Sequence, residues 1–180
     1  CRTRARAGPS RNKAWASGAG GTGRTRTQTY QQLQRWVCRF GNVLRRNRIR
    51  KGDRLIIYMP ALPEAAIAML ACARIGAVHS VVFGGFSADS IRDRIADCGA
   101  VSVITADGGS RSGAIVSPKN NGDDALSGKT SGKRVTVFRR AGNEIPFADG
   151  RAAWWHWESA YADATCPPAP LDSAPPLYIS

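Results

Sequence analysis

The sequence lacks any long apolar run. Its longest candidate, Ala65–Ala73, is about half the length that a bilayer-spanning helix needs, roughly 18 to 20 residues. We therefore predict no membrane span and expect a soluble chain. The 180 residues and the 43% hydrophobic composition fit one globular domain.

Cysteine and histidine are few and poorly spaced for metal binding. The five cysteines (Cys1, Cys38, Cys72, Cys98 and Cys166) are odd in number and form no C-x-x-C pair. Neither of the two histidines has a Cys, Asp or Glu partner at ligand spacing. We predict no metal site, no disulfide and a reducing, cytoplasmic compartment.

Acidic residues are scarce, and the net charge is +13. Residues 1–28 hold seven Lys or Arg and no acid, which leaves +6 for the other 152 residues. One alternative function is a non-catalytic nucleic-acid-binding module acting through this basic tail, but the concentration of charge in the tail argues against it. The tail lacks apolar periodicity, so we expect disorder there; its composition also suits an organelle transit peptide.

Residues 53–107 alternate between strand and helix patterns. Helices of about a dozen residues separate the strands, so the strands cannot pair as hairpins and should form a parallel sheet. The predicted fold is α/β, with an open, mostly parallel, doubly wound sheet. The predicted elements are a strand at 54–59, a helix from Pro63 to Ile75, a strand at 79–83, a helix capped by Ser87 and ended by Gly99, and a strand at 101–105.

The flanking elements are predicted from similar signals. Thr29 and Gln32 have capping-box spacing before a helical pattern, and Trp154, Trp157 and Tyr161 have the spacing of one helix face. The predicted elements are a helix from about Tyr30 to Asn47, a surface excursion from Gly108 to Lys133, a strand from Arg134 to Arg139, an aromatic-faced helix from about Ala153 to Ala164, and a strand beginning at Leu177.

Three glycine patterns imitate nucleotide-binding loops and fail on context. Gly18–Gly23 satisfies G-x-G-x-x-G, but no strand precedes it, and Arg24 stands where a P-loop needs Lys. Gly128-Lys129-Thr130 would need a glycine where Asp123 lies. The Phe83-Gly84-Gly85 turn is different, because it follows a parallel strand at the edge where open α/β sheets bind ligands.

Much of the chain resembles the AMP-forming acetyl-CoA synthetases (acetate–CoA ligases) of the adenylate-forming, AMP-binding superfamily. The resemblance spans about 150 of the 180 residues and leaves out residues 1–28, so residues 29–180 would be the N-terminal part of the synthetase domain. It is carried by Tyr58-Met59-Pro60, Pro63-Glu64, the segment MLACARIGAVHSVVFGGFS at 69–87, Ile104-Thr105-Ala106-Asp107, Trp154-Trp155-His156 and Cys166-Pro167-Pro168.

The resemblance implies a contact with coenzyme A. In the family, the segment matching Phe83, Gly84 and Gly85, together with the Arg matching Arg111, lies against the nucleotide part of CoA. A guanidinium can bind the 3′-phosphate of CoA in a bidentate way that Lys cannot reproduce. The family usually has a second basic residue where this chain has Ala114, a departure expected to weaken that contact.

The resemblance also implies the reaction. Acetate and ATP, with Mg²⁺, would give acetyl-AMP and pyrophosphate, and the acetyl group would pass to the thiol of CoA. The family's phosphate loop follows the strand that begins at Leu177, and its catalytic Lys lies in a C-terminal domain, so we expect an inactive fragment with no catalytic residue and no tightly bound cofactor. An alternative within the family is a propionate or other short-chain acyl-CoA ligase. The sequence does not determine the oligomeric state.

Overall fold

The computed structural model describes residues 12–19, 25–111, 114–116, 118–127, 134–147, 150–171 and 176–179. Five helices lie in these ranges: α1 (Tyr30–Arg46), α2 (Pro63–Ile75), α3 (Ala88–Cys98), α4 (Pro118–Ala125) and α5 (Trp155–Ala160). The strands there are β1 (Ala14–Ala19), β2 (Thr25–Thr29), β3 (Arg54–Met59), β4 (Val78–Phe83), β5 (Ser102–Ala106), β6 (Gly109–Arg111), β7 (Ala114–Val116), β8 (Arg134–Phe138), β9 (Ala152–Trp154) and β10 (Tyr178–Ile179).

The main sheet has six strands in the order β10-β4-β3-β5-β8-β9. Every neighbouring pair in it is parallel, which confirms the predicted α/β fold and parallel sheet. β3 lies inside the sheet and is nearly all apolar, as a strand covered on both faces requires.

Alternation along β3 sends side chains to two separate cores. Leu55, Ile57 and Met59 pack with α1, α2 and Trp155 on one face. Ile56 and Tyr58 pack with α3 and with the end of α4 on the other face. The connection after β3 therefore leads to one face and the connections after β4 and β5 to the other, so the carboxyl ends of these three strands form a topological switch point.

The helix boundaries follow the predicted local signals. Thr29 caps α1 in a complete capping box with Gln32, and Ser87 accepts a hydrogen bond from the backbone of Ser90 at the start of α3. α2 begins with Pro63 and ends at Gly76, which adopts the left-handed conformation with φ of 80°.

The structure differs from the predictions at the amino terminus and after β5. β1 and β2 form an antiparallel ribbon in the segment where disorder was predicted, whereas residues 1–11 and 20–24 lie outside the described residues. A backbone ladder needs no apolar periodicity, so the lack of such periodicity in this segment did not exclude strands. The predicted surface excursion contains the β6–β7 hairpin and α4, in which Lys119 is fully buried.

The prediction of an aromatic-faced helix from about Ala153 to Ala164 is also wrong. Trp154 belongs to β9, and α5 covers only Trp155–Ala160. The buried ring is that of Trp155, whereas Trp157 and Tyr161 are 64% and 89% exposed. None of the helices formed by the described residues is long and apolar enough to cross a bilayer.

Candidate functional site

The candidate loop lies at the carboxyl end of β4, on the switch-point edge of the sheet. Phe83 and Phe86 are 58% and 45% exposed and stand on either side of Gly84-Gly85. The backbone N–H of Phe86 donates to the carbonyl oxygen of Phe83 at 3.1 Å, and Ser87 then caps α3. The loop thus presents two aromatic rings and a glycine backbone at the edge where open α/β sheets bind ligands.

Close packing, rather than an unusual backbone conformation, requires glycine at position 84. Neither Gly84 nor Gly85 is among the glycines with positive φ in the described chain. A Cβ added at Gly84 would lie 3.2 Å from the nitrogen of Pro60 and 3.4 Å from the carbonyl carbon of Met59. Both are backbone atoms that cannot rotate away, so the loop is held against the end of β3.

A second glycine meets the same proline from the other neighbouring strand. A Cβ at Gly109, the first residue of β6, would lie 2.5 Å from Cγ of Pro60. Gly84 and Gly109 therefore both pack against Pro60, and the loop after β4 and the hairpin after β5 are neighbours. Arg111 ends β6, and its backbone pairs with that of Ala114 in β7. The structure thus places the backbone of Arg111 in this hairpin.

Asp107 holds the end of β5 against the loop that follows β8. Its side chain is fully buried. Oδ1 accepts hydrogen bonds from the backbone N–H groups of Gly108 (2.7 Å), Arg140 (2.7 Å) and Ala141 (3.0 Å), and Oδ2 accepts one from Gly142 (2.7 Å). Four backbone donors satisfy a carboxylate that would otherwise be costly to bury. The Asp of the Thr-Ala-Asp motif is thus explained by its support of the sheet edge.

The chain as a whole is similar to known proteins. A model of the AMP-binding enzyme family matches residues 2–180. The chain belongs to this family. The match also takes in most of residues 1–28, which the sequence resemblance left out.

Curated relatives of this chain are acetyl-coenzyme A synthetases. It is 52% identical to the one from Yersinia pseudotuberculosis over 157 residues, which are 86% of this chain and 24% of the relative. It is 49% identical to acetyl-coenzyme A synthetase 2 of Pseudomonas putida over 151 residues, which are 84% of this chain and 23% of that protein. The chain thus spans about a quarter of the length of the curated relatives it matches. These relatives favour neither a propionate or other short-chain acyl-CoA ligase nor a nucleic-acid-binding module.

The fold also matches a solved structure. An acyl-CoA synthetase from Brucella canis superposes with a TM-score of 0.72 at 23% sequence identity. The similarity covers 91% of this chain and 27% of the Brucella protein. At that identity the likeness shows the fold alone.

Two buried thiols and the buried histidine of this chain are poorly suited to catalysis. Burial raises the pKa of the Cys72 thiol from 9.0 to about 12. Burial also raises the pKa of Cys166, although Arg45 and Arg74 oppose that shift. Desolvation lowers the pKa of His79 below 6.5. A buried neutral thiol is a poor nucleophile, so these cysteines act as small apolar groups.

The remaining polar candidates have structural partners or lie on the surface. Asp89 pairs with Arg92 at 2.5 Å on the exposed side of α3, as an i, i+3 pair of opposite charges on one helix face. His156 is exposed and makes ring contacts with Trp154 and Trp157. Within the described ranges, no cluster of His, Cys, Asp or Glu could hold a metal ion.

Sequence reasoning missed the groups that support the loop. Tyr58 was predicted only as a residue of a buried strand, yet its hydroxyl lies 2.9 Å from the carbonyl oxygen of Phe86. Asn121 lies in the segment predicted as a surface excursion, and its Nδ2 donates to that hydroxyl at 3.3 Å. A tyrosine next to the end of an otherwise aliphatic strand was the available signal, because a buried hydroxyl needs a partner.

Proposed function

We propose that this chain is part of an acetate–CoA ligase and supplies one wall of its coenzyme A site. In the whole enzyme, ATP (as its Mg²⁺ complex) and acetate would give acetyl-AMP and pyrophosphate. The thiol of CoA would then attack the acetyl carbonyl and release AMP. We assign no catalytic residue to this chain. We expect it to bind neither ATP nor CoA tightly by itself.

The observation that carries the proposal is the meeting of two loops at Pro60. Gly84 in the Phe83–Phe86 loop and Gly109 in the β6–β7 hairpin both pack against this residue. The hairpin carries Arg111, and the loop carries the exposed Phe83 ring. A nucleotide at this edge would have an aromatic surface and a glycine backbone on one side and the hairpin that carries Arg111 on the other. A guanidinium is well suited to bind a phosphate.

The decisive experiment compares two ligands that differ by one phosphate. We expect the 180-residue chain to bind CoA more tightly than dephospho-CoA, which lacks the 3′-phosphate, in isothermal titration calorimetry. Arg111→Ala should weaken CoA binding roughly 10- to 100-fold, the value of a hydrogen-bonded charge pair. Arg111→Lys should recover only part of this loss, because Lys cannot bind bidentately.

Arg35→Ala is the matched control. Arg35 is exposed on α1, so its replacement removes the same charge from a different part of the molecule. CoA affinity should stay within about twofold of that of the unmodified chain, since isolated surface charges have small effects. Equal binding of CoA and dephospho-CoA, or equal effects of the Arg35 and Arg111 variants, would refute the assignment of Arg111.

The reaction itself is tested in a chimera. This chain would replace the matching segment of the Yersinia pseudotuberculosis acetyl-coenzyme A synthetase, to which it is 52% identical. We expect acetate-dependent exchange between ATP and pyrophosphate, followed by CoA-dependent release of AMP. A preference for propionate over acetate would point to the related short-chain ligases instead.

We also propose that the protein works in the reducing cytoplasm. Cys38, Cys72, Cys98 and Cys166 are free thiols, which supports this compartment. Fractionation of cells that express the tagged protein would test it, and recovery outside the cytosolic fraction would contradict it.

A further inference from the structure

The Tyr58 hydroxyl makes contacts that join three parts of the fold. Tyr58 lies in β3 and is fully buried. Its hydroxyl donates to the carbonyl oxygen of Phe86 at 2.9 Å, with the carbonyl oxygen of Gly84 at 3.4 Å as a second acceptor. The same oxygen accepts a hydrogen bond from Nδ2 of Asn121 in α4 at 3.3 Å. The hydroxyl thus joins the interior of the sheet, the glycine loop and a helix.

We propose that Tyr58 is a positioning residue for the coenzyme A site, with Asn121 holding its hydroxyl in place. This rests on the proposed function, because the loop that Tyr58 holds is the proposed CoA loop. Tyr58 does not reach the ligand itself. Its hydroxyl holds the carbonyl groups of Gly84 and Phe86 from the interior of the sheet, so that the backbone between them keeps one orientation toward the ligand.

The geometry gives the hydroxyl a role that the ring does not have. The ring packs in the core with Ile56, Val82 and Ile91, and a phenylalanine would fill the same space. Without the hydroxyl, the Phe86 carbonyl would lose its short hydrogen bond and Nδ2 of Asn121 would lose an acceptor. The loop would still be formed by Gly84 packing against Pro60, but the end carrying Phe86 would lose its link to β3.

The test removes only the hydroxyl. We expect Tyr58→Phe in the 180-residue chain to raise the dissociation constant for CoA about three- to tenfold, the effect of one buried hydrogen bond. We also expect faster hydrogen exchange at the Phe86 N–H, which donates to Phe83 across the loop. Calorimetry gives the first quantity and NMR the second.

Ser102→Ala is the matched control. Ser102 is buried, and its hydroxyl donates to the carbonyl oxygen of Arg134 at 2.9 Å. It begins β5, and because the strands are parallel it lies at the edge of the sheet opposite the loop. This variant also loses one buried hydroxyl, so general destabilisation would affect both variants. Its CoA affinity and its exchange at Phe86 should match those of the unmodified chain.

The outcomes separate this inference from the function on which it rests. If the unmodified chain does not bind CoA, the proposed function fails, and exchange at Phe86 still decides whether Tyr58 holds the loop. If CoA binds and Tyr58→Phe changes neither affinity nor exchange, the positioning role is refuted. Should Tyr58→Phe fail to fold, Asn121→Ala replaces it. That variant should move both quantities in the same direction by a smaller factor, and no change would refute the role equally.

Discussion

His79 shows at the scale of one residue how burial in the sheet sets protonation. Its side chain lies in β4, 8% exposed, and Nδ1 has no hydrogen-bond partner among the described residues. Desolvation lowers its pKa below 6.5 because the charged form loses water without gaining a partner. The histidine is therefore neutral in the folded chain near neutral pH.

This shift predicts a pH dependence of stability. The unfolded chain takes up a proton at this residue near pH 6.5, whereas the folded chain does so only at lower pH. Unfolding is thus favoured as the pH falls below about 6.5, and the contribution of His79 is fully present only above that value. Between about pH 7 and pH 5, we expect the Tm of the His79→Gln variant to decrease less than that of the unmodified chain. Exposed His156→Gln is the control, and parallel Tm curves for all three would contradict the prediction.

Gly84 and Gly122 are opposite cases at the scale of elements. Gly84 is enclosed by the backbone of Met59 and Pro60 where β4 turns toward α3, whereas a Cβ at Gly122 in α4 would have no neighbour within 4 Å. Gly84→Ala should therefore lower the free energy of unfolding by about 1–3 kcal/mol through overpacking. Gly122→Ala should raise it by about 0.5–1 kcal/mol, since alanine favours a helix more than glycine does.

Urea denaturation of the two variants would measure both changes. CoA binding provides a second comparison, because only the Gly84 substitution displaces the proposed loop. Equal stabilities for the two variants would show that the loop can move away from Pro60, and would remove the main support for its fixed position.

Local signals explain why most elements of the central sheet were predictable. Pro63 fits the first turn of α2, and Gly76 and Gly99 end their helices in the left-handed conformation. β3 and α2 occupy the residues that the sequence predicted. Such signals act over one helical turn or one strand and do not depend on the rest of the fold. α4 also begins with a proline, Pro118, but its sequence PKNNGDDA has no apolar helical pattern. The β1–β2 ribbon has no such pattern either, and both were missed.

Trp155 connects elements across the whole molecule. Its ring stacks on that of Phe40 in α1, with centroids 3.5 Å apart and planes 12° apart, and it meets the Phe138 ring of β8 edge-on at 6.0 Å. The contact joins the first long helix to residues more than a hundred positions later. Trp157, two residues further on, is 64% exposed.

The two tryptophans therefore make a matched pair. Trp155→Ala should lower the free energy of unfolding by about 3–5 kcal/mol, a large part of the stability of a typical domain. Trp157→Ala should change it by no more than about 0.5 kcal/mol. Chemical denaturation followed by far-UV circular dichroism would measure both. A larger loss of unfolding free energy for Trp157→Ala than for Trp155→Ala would contradict the prediction.

The sequence by itself determined the α/β class, the parallel sheet, the main helix ends and the family, because these depend on local patterns and a long motif. Only the tertiary structure decided that Tyr58 holds Phe86, that Asp107 binds the loop after β8, and that Gly84 and Gly109 share Pro60 as a neighbour. It also decided which tryptophan is buried. These contacts join residues about 24 to 115 positions apart, and residue spacing within one element carries no information about what packs against it.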